Sequence, residues 1–286
     1  MKKAISNLMN RFSVIGKKTK VKNEECVVYS LKGGTLTDKI SVEYINSISI
    51  LVIKGMVNVT DLMFIAKMKN LETLDMGKCR LENNNYGSLE LLDIISGLVK
   101  GKKNLKEFVF PEFFPCIPSH LFDGCESLKK IIISKKVDSI NSYAFTNCGI
   151  EEIVIPYSVK KIEIEAFSNC RNLKKIVVED SDKYIAWKGE QFKDCPDIEV
   201  FYVGRNSHHE TAPIVETNIK TLYLGKSIKS FNVCAQNIES IVCTAQNPPN
   251  VNTTLNKECK LYVNKKIYKY YWVHPVWGKV KIGILE

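Results

Sequence analysis

The chain has 286 residues, of which 45% are hydrophobic and 25% charged, and its formal net charge is +10. These values describe an ordinary globular chain of one or two domains and exclude a collagenous, low-complexity or disordered protein. No apolar run reaches the ~18 residues that a membrane-spanning helix needs, so the sequence predicts a soluble protein.

The excess positive charge lies at the two ends of the chain. Residues 1–22 carry seven basic side chains and no acidic one, and residues 257–286 carry seven lysines against Glu258 and Glu286. The remaining body holds 27 basic against 29 acidic residues, which does not favour a groove that follows nucleic-acid phosphates.

The first predicted element, residues 1–29, is a basic amphipathic segment. Apolar residues recur at helical spacing opposite the lysines, at Ile5, Leu8, Met9, Phe12 and Ile15. Polar residues interrupt them before an apolar signal-peptide core accumulates, so no secretion signal is predicted in the chain as given. An anionic membrane surface is an alternative partner for residues 1–22.

Residues 30–104 are predicted to form an N-terminal capping region with the first strands and two helices. One helix covers 61–69, with Thr60 as its N-cap, and leads into a strand at Leu71. The second helix follows Ser88 and ends before Gly101.

From residue 105 the chain repeats a short apolar pattern, LxxIxI, at spacings of 23, 22, 23, 25, 21 and 19 residues. The repeats begin at Leu105, Leu128, Ile150, Leu173, Ile198, Ile219 and Ile238. Because side chains alternate along a strand, positions 1, 4 and 6 point inward, whereas positions 3 and 5 point outward. Each repeat cannot bury its apolar face alone, so the pattern predicts stacked coils of a solenoid.

Two further columns accompany the strands. A Phe followed three residues later by a Cys recurs in four successive units, as Phe122/Cys125, Phe145/Cys148, Phe167/Cys170 and Phe192/Cys195. An Ile precedes this Phe by five residues in the first three units, and in the longer fourth unit Ile185 precedes it by seven. We interpret the Cys column as structural, because a thiol suits a tight buried corner.

The segments SINSYAFTNC and KKIEIEAFSNC resemble the repeat unit of the BspA-like (Treponema pallidum-type) leucine-rich repeat family, and the resemblance to its Bacteroides-type members covers about residues 30 to 286. Together, the repeats and the resemblance predict a right-handed α+β leucine-rich repeat solenoid with parallel strands on one face and a helical N-terminal cap. Residues 105–260 form the coils, and residues 261–286 form a C-terminal strand and an aromatic cap. The resemblance also implies a bacterial surface role.

No catalytic site is expected. The four histidines, His120, His208, His209 and His274, have no nucleophile and base at a motif spacing, and no nucleotide-binding or hydrolase motif occurs. The ten cysteines show no zinc-ligand spacing. The sequence therefore predicts no enzyme, no metal, no cofactor and no small-molecule substrate.

The outward position 5 of the strands is the predicted partner-binding face. It holds apolar or aromatic residues in successive coils, namely Val109, Ile132, Val154, Val177, Tyr202, Tyr223 and Val242. Ordinary strand propensity is the alternative explanation. Tyr202 and Tyr223 are expected to stack as one platform. Positions 2 and 3 alternate in charge from coil to coil, which favours cross-strand pairing. The predicted function is protein binding; association with RNA or an anionic membrane through the termini is the alternative.

Overall fold

The computed structural model describes residues 25–82, 88–208, 212–251, 255–256 and 258–285. Residues 1–24, which make up most of the predicted basic segment 1–29, and His209 lie outside these residues. In the described part of the chain the strands are β1 Glu25–Ser30, β2 Ile50–Val57, β3 Thr73–Leu81, β4 Glu107–Val109, β5 Cys116–Ile117, β6 Lys130–Ile132, β7 Ser139–Ile140, β8 Glu152–Ile155, β9 Lys161–Ile162, β10 Lys175–Val178, β11 Ala186–Trp187, β12 Ile198–Val203, β13 Ile214–Leu224, β14 Ser230–Phe231, β15 Cys234–Gln236, β16 Ser240–Cys243, β17 Asn250–Val251, β18 Lys260–Asn264 and β19 Lys281–Leu285. The helices are α1 Leu36–Lys39, α2 Val59–Ala66, α3 Ser88–Ser96 and α4 Tyr268–Trp272.

These strands form parallel sheets on two sides of a solenoid. On one side, which we call the strand face, the order is β1-β2-β3-β4-β6, followed by β8-β10-β12-β13-β16-β18-β19. The short strands β5, β7, β9 and β11 alternate along the chain with strands of the strand face, and they form a separate parallel sheet in the order β5-β7-β9-β11. The chain thus winds from one sheet to the other once per repeat, and the predicted solenoid is confirmed.

The strand face is divided between β6 and β8. No ladder pairing joins these two described strands, whereas β7 pairs with both β5 and β9 beside the division. An ion pair between Lys129 and Glu151 (3.0 Å) links the two coils across it. The coils therefore remain stacked through their other sides.

The core consists of the columns that the repeat predicts. The four column phenylalanines are fully buried, and adjacent rings lie nearly parallel with centroids 5.0, 5.1 and 5.3 Å apart. The position-1 residues from Leu105 to Ile219 are also fully buried. Each coil therefore completes its core only against its neighbours, as expected for a solenoid.

A residue with left-handed backbone conformation lies in the turn that follows each column Phe. The residue two positions after the Phe has positive φ in every unit, at Gly124, Asn147, Asn169 and Asp194. Gly, Asn and Asp adopt this conformation at the lowest cost, which explains why the residue preceding each column Cys is one of these three. The side-chain amide of Asn169 donates to Asn147 in the coil before it.

The N-terminal helices differ from the predicted ones at their boundaries. Helix α2 spans Val59–Ala66, and its N-cap is Asn58, whose side chain accepts from the backbone N–H of Thr60 and Asp61. Asp61 in turn accepts from the Asn58 N–H at 3.0 Å. The predicted cap Thr60 was wrong, because this reciprocal capping box fixes the first turn two residues earlier. Strand β1 also begins at Glu25, before the predicted boundary at residue 30.

The register of the longest coil differs from the prediction. Trp187, which precedes Phe192 by five residues, pairs with Ile162, so it occupies the Ile column that the sequence assigns to Ile185. The extra residues form a loop before β11. Arg205 of the following coil extends past this loop and donates to the carbonyls of Pro156 and Tyr157, at 2.9 and 2.8 Å. The Arg205 side chain is fully buried, and burial lowers its pKa to about 10.

The C-terminal aromatic residues are divided between the interior and the surface. Tyr271 and Trp277 are fully buried, and the Trp277 indole N–H donates to the Pro249 carbonyl at 2.8 Å. Tyr270 and Trp272 remain exposed. Ile284 of the last strand pairs with the buried Val263 but is itself exposed, so the aromatic residues do not cover this end of the core completely. The aromatic cap therefore stays a prediction.

Candidate functional site

The candidate site is a stripe of outward side chains along the strand face, formed by position 5 of successive strands. The ladder pairs Val109 with Ile132 on one side of the division. On the other side it aligns Val154, Val177, Tyr202, Tyr223 and Val242 without a register shift. All seven side chains are half-buried or exposed. The strands thus place the predicted residues in one row.

The structure extends this stripe beyond the residues that the sequence analysis selects. Val242 pairs with Tyr262 of β18, and the Tyr262 ring lies against Gly283 of β19, where a Cβ would come within 2.9 Å of the ring. At the other end, Val52 and Val27 continue the row, and Asp75 is a polar interruption. The LxxIxI spacing of β18 would have identified Tyr262, but its repeat begins with Glu258 instead of an apolar residue.

The hydroxyl of Tyr202 is held by the neighbouring coil. It donates to Asp180 at 2.7 Å, and burial together with this carboxylate raises the tyrosine's pKa. Gly225 leaves the space for this contact, since a Cβ there would lie 2.5 Å from an Asp180 oxygen and 2.8 Å from the Tyr202 hydroxyl. Asp180 is therefore a site residue that sequence reasoning missed, because it follows strand β10 and belongs to none of the repeating columns.

The predicted stacking of the two tyrosines was wrong. Tyr202 and Tyr223 are Cα partners in the ladder, yet no ring pair joins them among the aromatic contacts of the described residues. The Tyr202 hydroxyl is instead bonded to the Asp180 carboxylate. The two rings therefore present adjacent surfaces instead of one stacked platform.

The charges beside the stripe are paired between coils, as the alternation of sign predicts. Lysine and glutamate at equivalent positions of neighbouring strands form ion pairs of 2.5 to 3.1 Å, which are Lys106–Glu72, Lys130–Glu107, Lys129–Glu151, Lys175–Glu152 and Lys174–Glu199. These ion pairs lie at the surface, and each contributes at most about 1 kcal/mol to stability. Their larger effect is to leave this part of the face without excess charge of either sign.

The column cysteines are hydrogen-bond donors as well as small core residues. The Sγ atoms of Cys125, Cys170 and Cys195 donate to carbonyls of the preceding coil at 3.2, 3.0 and 3.1 Å. Burial raises the pKa of Cys125 to about 12 and that of Cys170 well above its ordinary value. Because only the thiolate is reactive, these positions suit neither catalysis nor metal binding.

The described histidines are separated and have structural surroundings. His120 stacks on Tyr143 with ring centroids 5.2 Å apart and contacts Asp123, whereas the His274 ring accepts backbone N–H groups of its own loop. Within the described ranges, no three His, Cys, Asp or Glu side chains come together as metal ligands. Nor does any described helix have the length and apolarity to cross a membrane.

A polar groove of about 780 Å³ lies outside the strand face. It follows the left-handed corners, and its lining includes Asn147, Glu165, Asn169, Asp194 and Glu216. None of the residues selected for partner binding lines it.

Comparison with known proteins agrees with this architecture. Residues 93–220 match, in six copies, the family described as BspA type leucine rich repeat region. Residues 93–220 are therefore a leucine-rich repeat region of the BspA type, and the resemblance found in the sequence is confirmed there. No curated protein matches the chain.

One solved structure similar to this chain is a leucine-rich repeat protein from Bacteroides ovatus. It is 15% identical, and the TM-score is 0.33 over 81% of this chain. The chain spans 61% of that protein's length. Leucine-rich repeats of this family are generally non-enzymatic and mediate protein interactions.

Proposed function

We propose that this solenoid binds a protein partner through the position-5 stripe, with the contact centred on Tyr202 and Tyr223. The observation that carries the proposal is the unbroken register from β8 to β16, which aligns outward apolar and aromatic side chains in one row. Strand propensity alone favours such residues in each strand, but it does not require that aromatic ones be adjacent.

Two features of the site favour a protein surface as the partner. The Asp180 contact holds the Tyr202 ring before binding, so little side-chain entropy remains to be lost on association. The charges beside the stripe are already paired with each other, so the apolar row is the part of this face that remains to contact a partner. Tyrosine is enriched among residues that dominate interface energies, since it combines a large rigid ring with a hydroxyl.

A site-specific crosslinking experiment tests this proposal. In one preparation a photoreactive phenylalanine analogue replaces Tyr223. In a matched control the same analogue replaces Ile164, an exposed residue that follows β9 and lies outside the strand face. In an extract of the source cell, position 223 should give a discrete crosslinked protein that position 164 does not give. Unlabelled wild-type chain should compete for this crosslink.

The double variant Tyr202→Ala/Tyr223→Ala should fail to compete, with an affinity lower by about 2 kcal/mol or more. Its melting temperature should stay near that of the wild type, because both rings are only partly buried. Equal competition by the double variant, or an identical crosslink from position 164, would overturn the proposal.

A further inference from the structure

The C-terminal helix α4 and the loop that follows it carry an exposed apolar patch that the strand-face function does not use. The patch, which we call the α4 patch, consists of Tyr270, Trp272, Val273 and Val276, whose residues are 47%, 61%, 77% and 38% exposed. Tyr270 and Trp272 lie on the two sides of the buried Tyr271 in α4, and Val273 and Val276 follow the end of the helix. Exposed apolar residues that are grouped together mark a candidate interaction surface.

The patch is a fixed part of the fold. Its two anchors are Tyr271, whose hydroxyl donates to the Ala245 carbonyl at 2.9 Å, and Trp277, which is bound to Pro249. Gly278 packs so closely that a Cβ would lie 2.4 Å from the Trp272 carbonyl oxygen. The loop between the anchors therefore holds Trp272 and Val273 outward in a defined position.

Lysines precede and follow the patch along the chain. Residues 259–285 contain six lysines and no Asp or Glu. Lys265, Lys266, Lys269 and Lys279 are all exposed, and no ion pair is found for them among the described residues. The Lys269 ammonium lies over the Tyr270 ring, 5.0 Å from its centroid. The patch is thus apolar, and exposed lysines flank it along the chain.

We propose that the α4 patch docks on an anionic lipid bilayer, with Trp272 and Val273 inserted among the headgroups and the lysines against the lipid phosphates. Trp and Tyr favour the membrane interface, and lysines near an anionic surface each contribute to binding. A second copy of the chain fits poorly, because the lysines that flank two such patches would repel each other.

Single-stranded nucleic acid also fits poorly. Base stacking needs free ring faces, but Tyr268 and Trp272 stack on each other at 6.0 Å and Lys269 covers Tyr270. The aliphatic Val273 and Val276 offer nothing to a base, whereas both suit an acyl-chain boundary. The combination therefore favours lipid.

Tryptophan fluorescence of the full chain reports on this site specifically. Of the three tryptophans, Trp187 and Trp277 are buried and only Trp272 is exposed, and residues 1–22 contain none. Vesicles of phosphatidylcholine with phosphatidylglycerol should shift the emission to shorter wavelength, and brominated acyl chains should quench it. Vesicles of phosphatidylcholine alone should cause neither effect. The signal should disappear in Trp272→Phe.

Two variants separate the apolar and electrostatic parts. Val273→Asp should weaken the Trp272-reported partition at least tenfold, whereas Val42→Asp, at an exposed valine in the N-terminal half, should leave it unchanged. Replacing Lys265, Lys266 and Lys269 by Gln should weaken it about a hundredfold and reduce its salt dependence. This triple variant keeps the test valid should Val273→Asp fail to fold.

Three results would overturn the inference. One is an unchanged Trp272 emission with anionic vesicles, even if the chain floats with them through another segment. Another is quenching of Trp272 by a single-stranded RNA oligonucleotide in place of vesicles. The third is a concentration-dependent emission shift without lipid, which would assign the patch to self-association.

Discussion

Removing one ring from the phenylalanine column should destabilise the whole solenoid. Phe167 is fully buried between Phe145 and Phe192, with ring centroids 5.1 and 5.3 Å away. Truncating a buried Phe to Ala costs about 3–5 kcal/mol, and each stacked neighbour adds about 0.5–1.5 kcal/mol. We therefore expect Phe167→Ala to lower the free energy of unfolding by about 4 kcal/mol or more.

Urea denaturation followed by circular dichroism measures this loss, and thermal unfolding should show a melting temperature about 8–16 °C lower. Tyr184→Ala is the matched control, because it removes an exposed ring and should change stability by no more than about 0.5 kcal/mol. Equal effects of the two variants would refute the assignment of the column to the core.

Pairs of variants test the repeat architecture further. In a solenoid each coil contacts only its neighbours, so Phe145→Ala and Phe167→Ala should be coupled by about 0.5–3 kcal/mol. Phe122→Ala and Phe192→Ala, which are separated by two intervening rings, should be additive. Coupling of similar size in both pairs would contradict nearest-neighbour stacking.

Two other expectations concern the thiols and the N-terminus. The column cysteines of the folded protein should resist a thiol reagent while the exposed Cys234 reacts, and all ten should react after denaturation without reductant. Thiols of the unfolded chain ionise near pH 9, whereas the buried thiols of the folded protein stay protonated. The free energy of unfolding should therefore fall as the pH rises above about 9. Lys102, whose pKa burial lowers to about 8, opposes this trend but is a single group, so a rise in stability above pH 9 would contradict the explanation. Deleting residues 1–22 should leave the melting temperature nearly unchanged, and a large decrease in a calorimetric scan would show that this segment packs on the solenoid.

The sequence by itself determined the repeating part of this protein. Where a short unit recurs, equivalent residues of adjacent coils contact each other, as Phe145 and Phe167 do. The spacing in the sequence is therefore enough to predict the contact. The alternation of lysine and glutamate predicted the ion pairs for the same reason. Even the tyrosines of the later coils, Tyr202 and Tyr223, were placed correctly in the ladder.

Only the tertiary structure decided the contacts that break the repeat. Three contacts depend on how the chain folds around the extra residues of the longest coil. They are the hydrogen bond between Tyr202 and Asp180, the hydrogen bonds of Arg205 to the coil of Pro156, and the position of Trp187 in the Ile column. Likewise Trp272 and Trp277 are similar in sequence context, but one is exposed and the other buried. The partners in such contacts are set by the space that the folded coils leave.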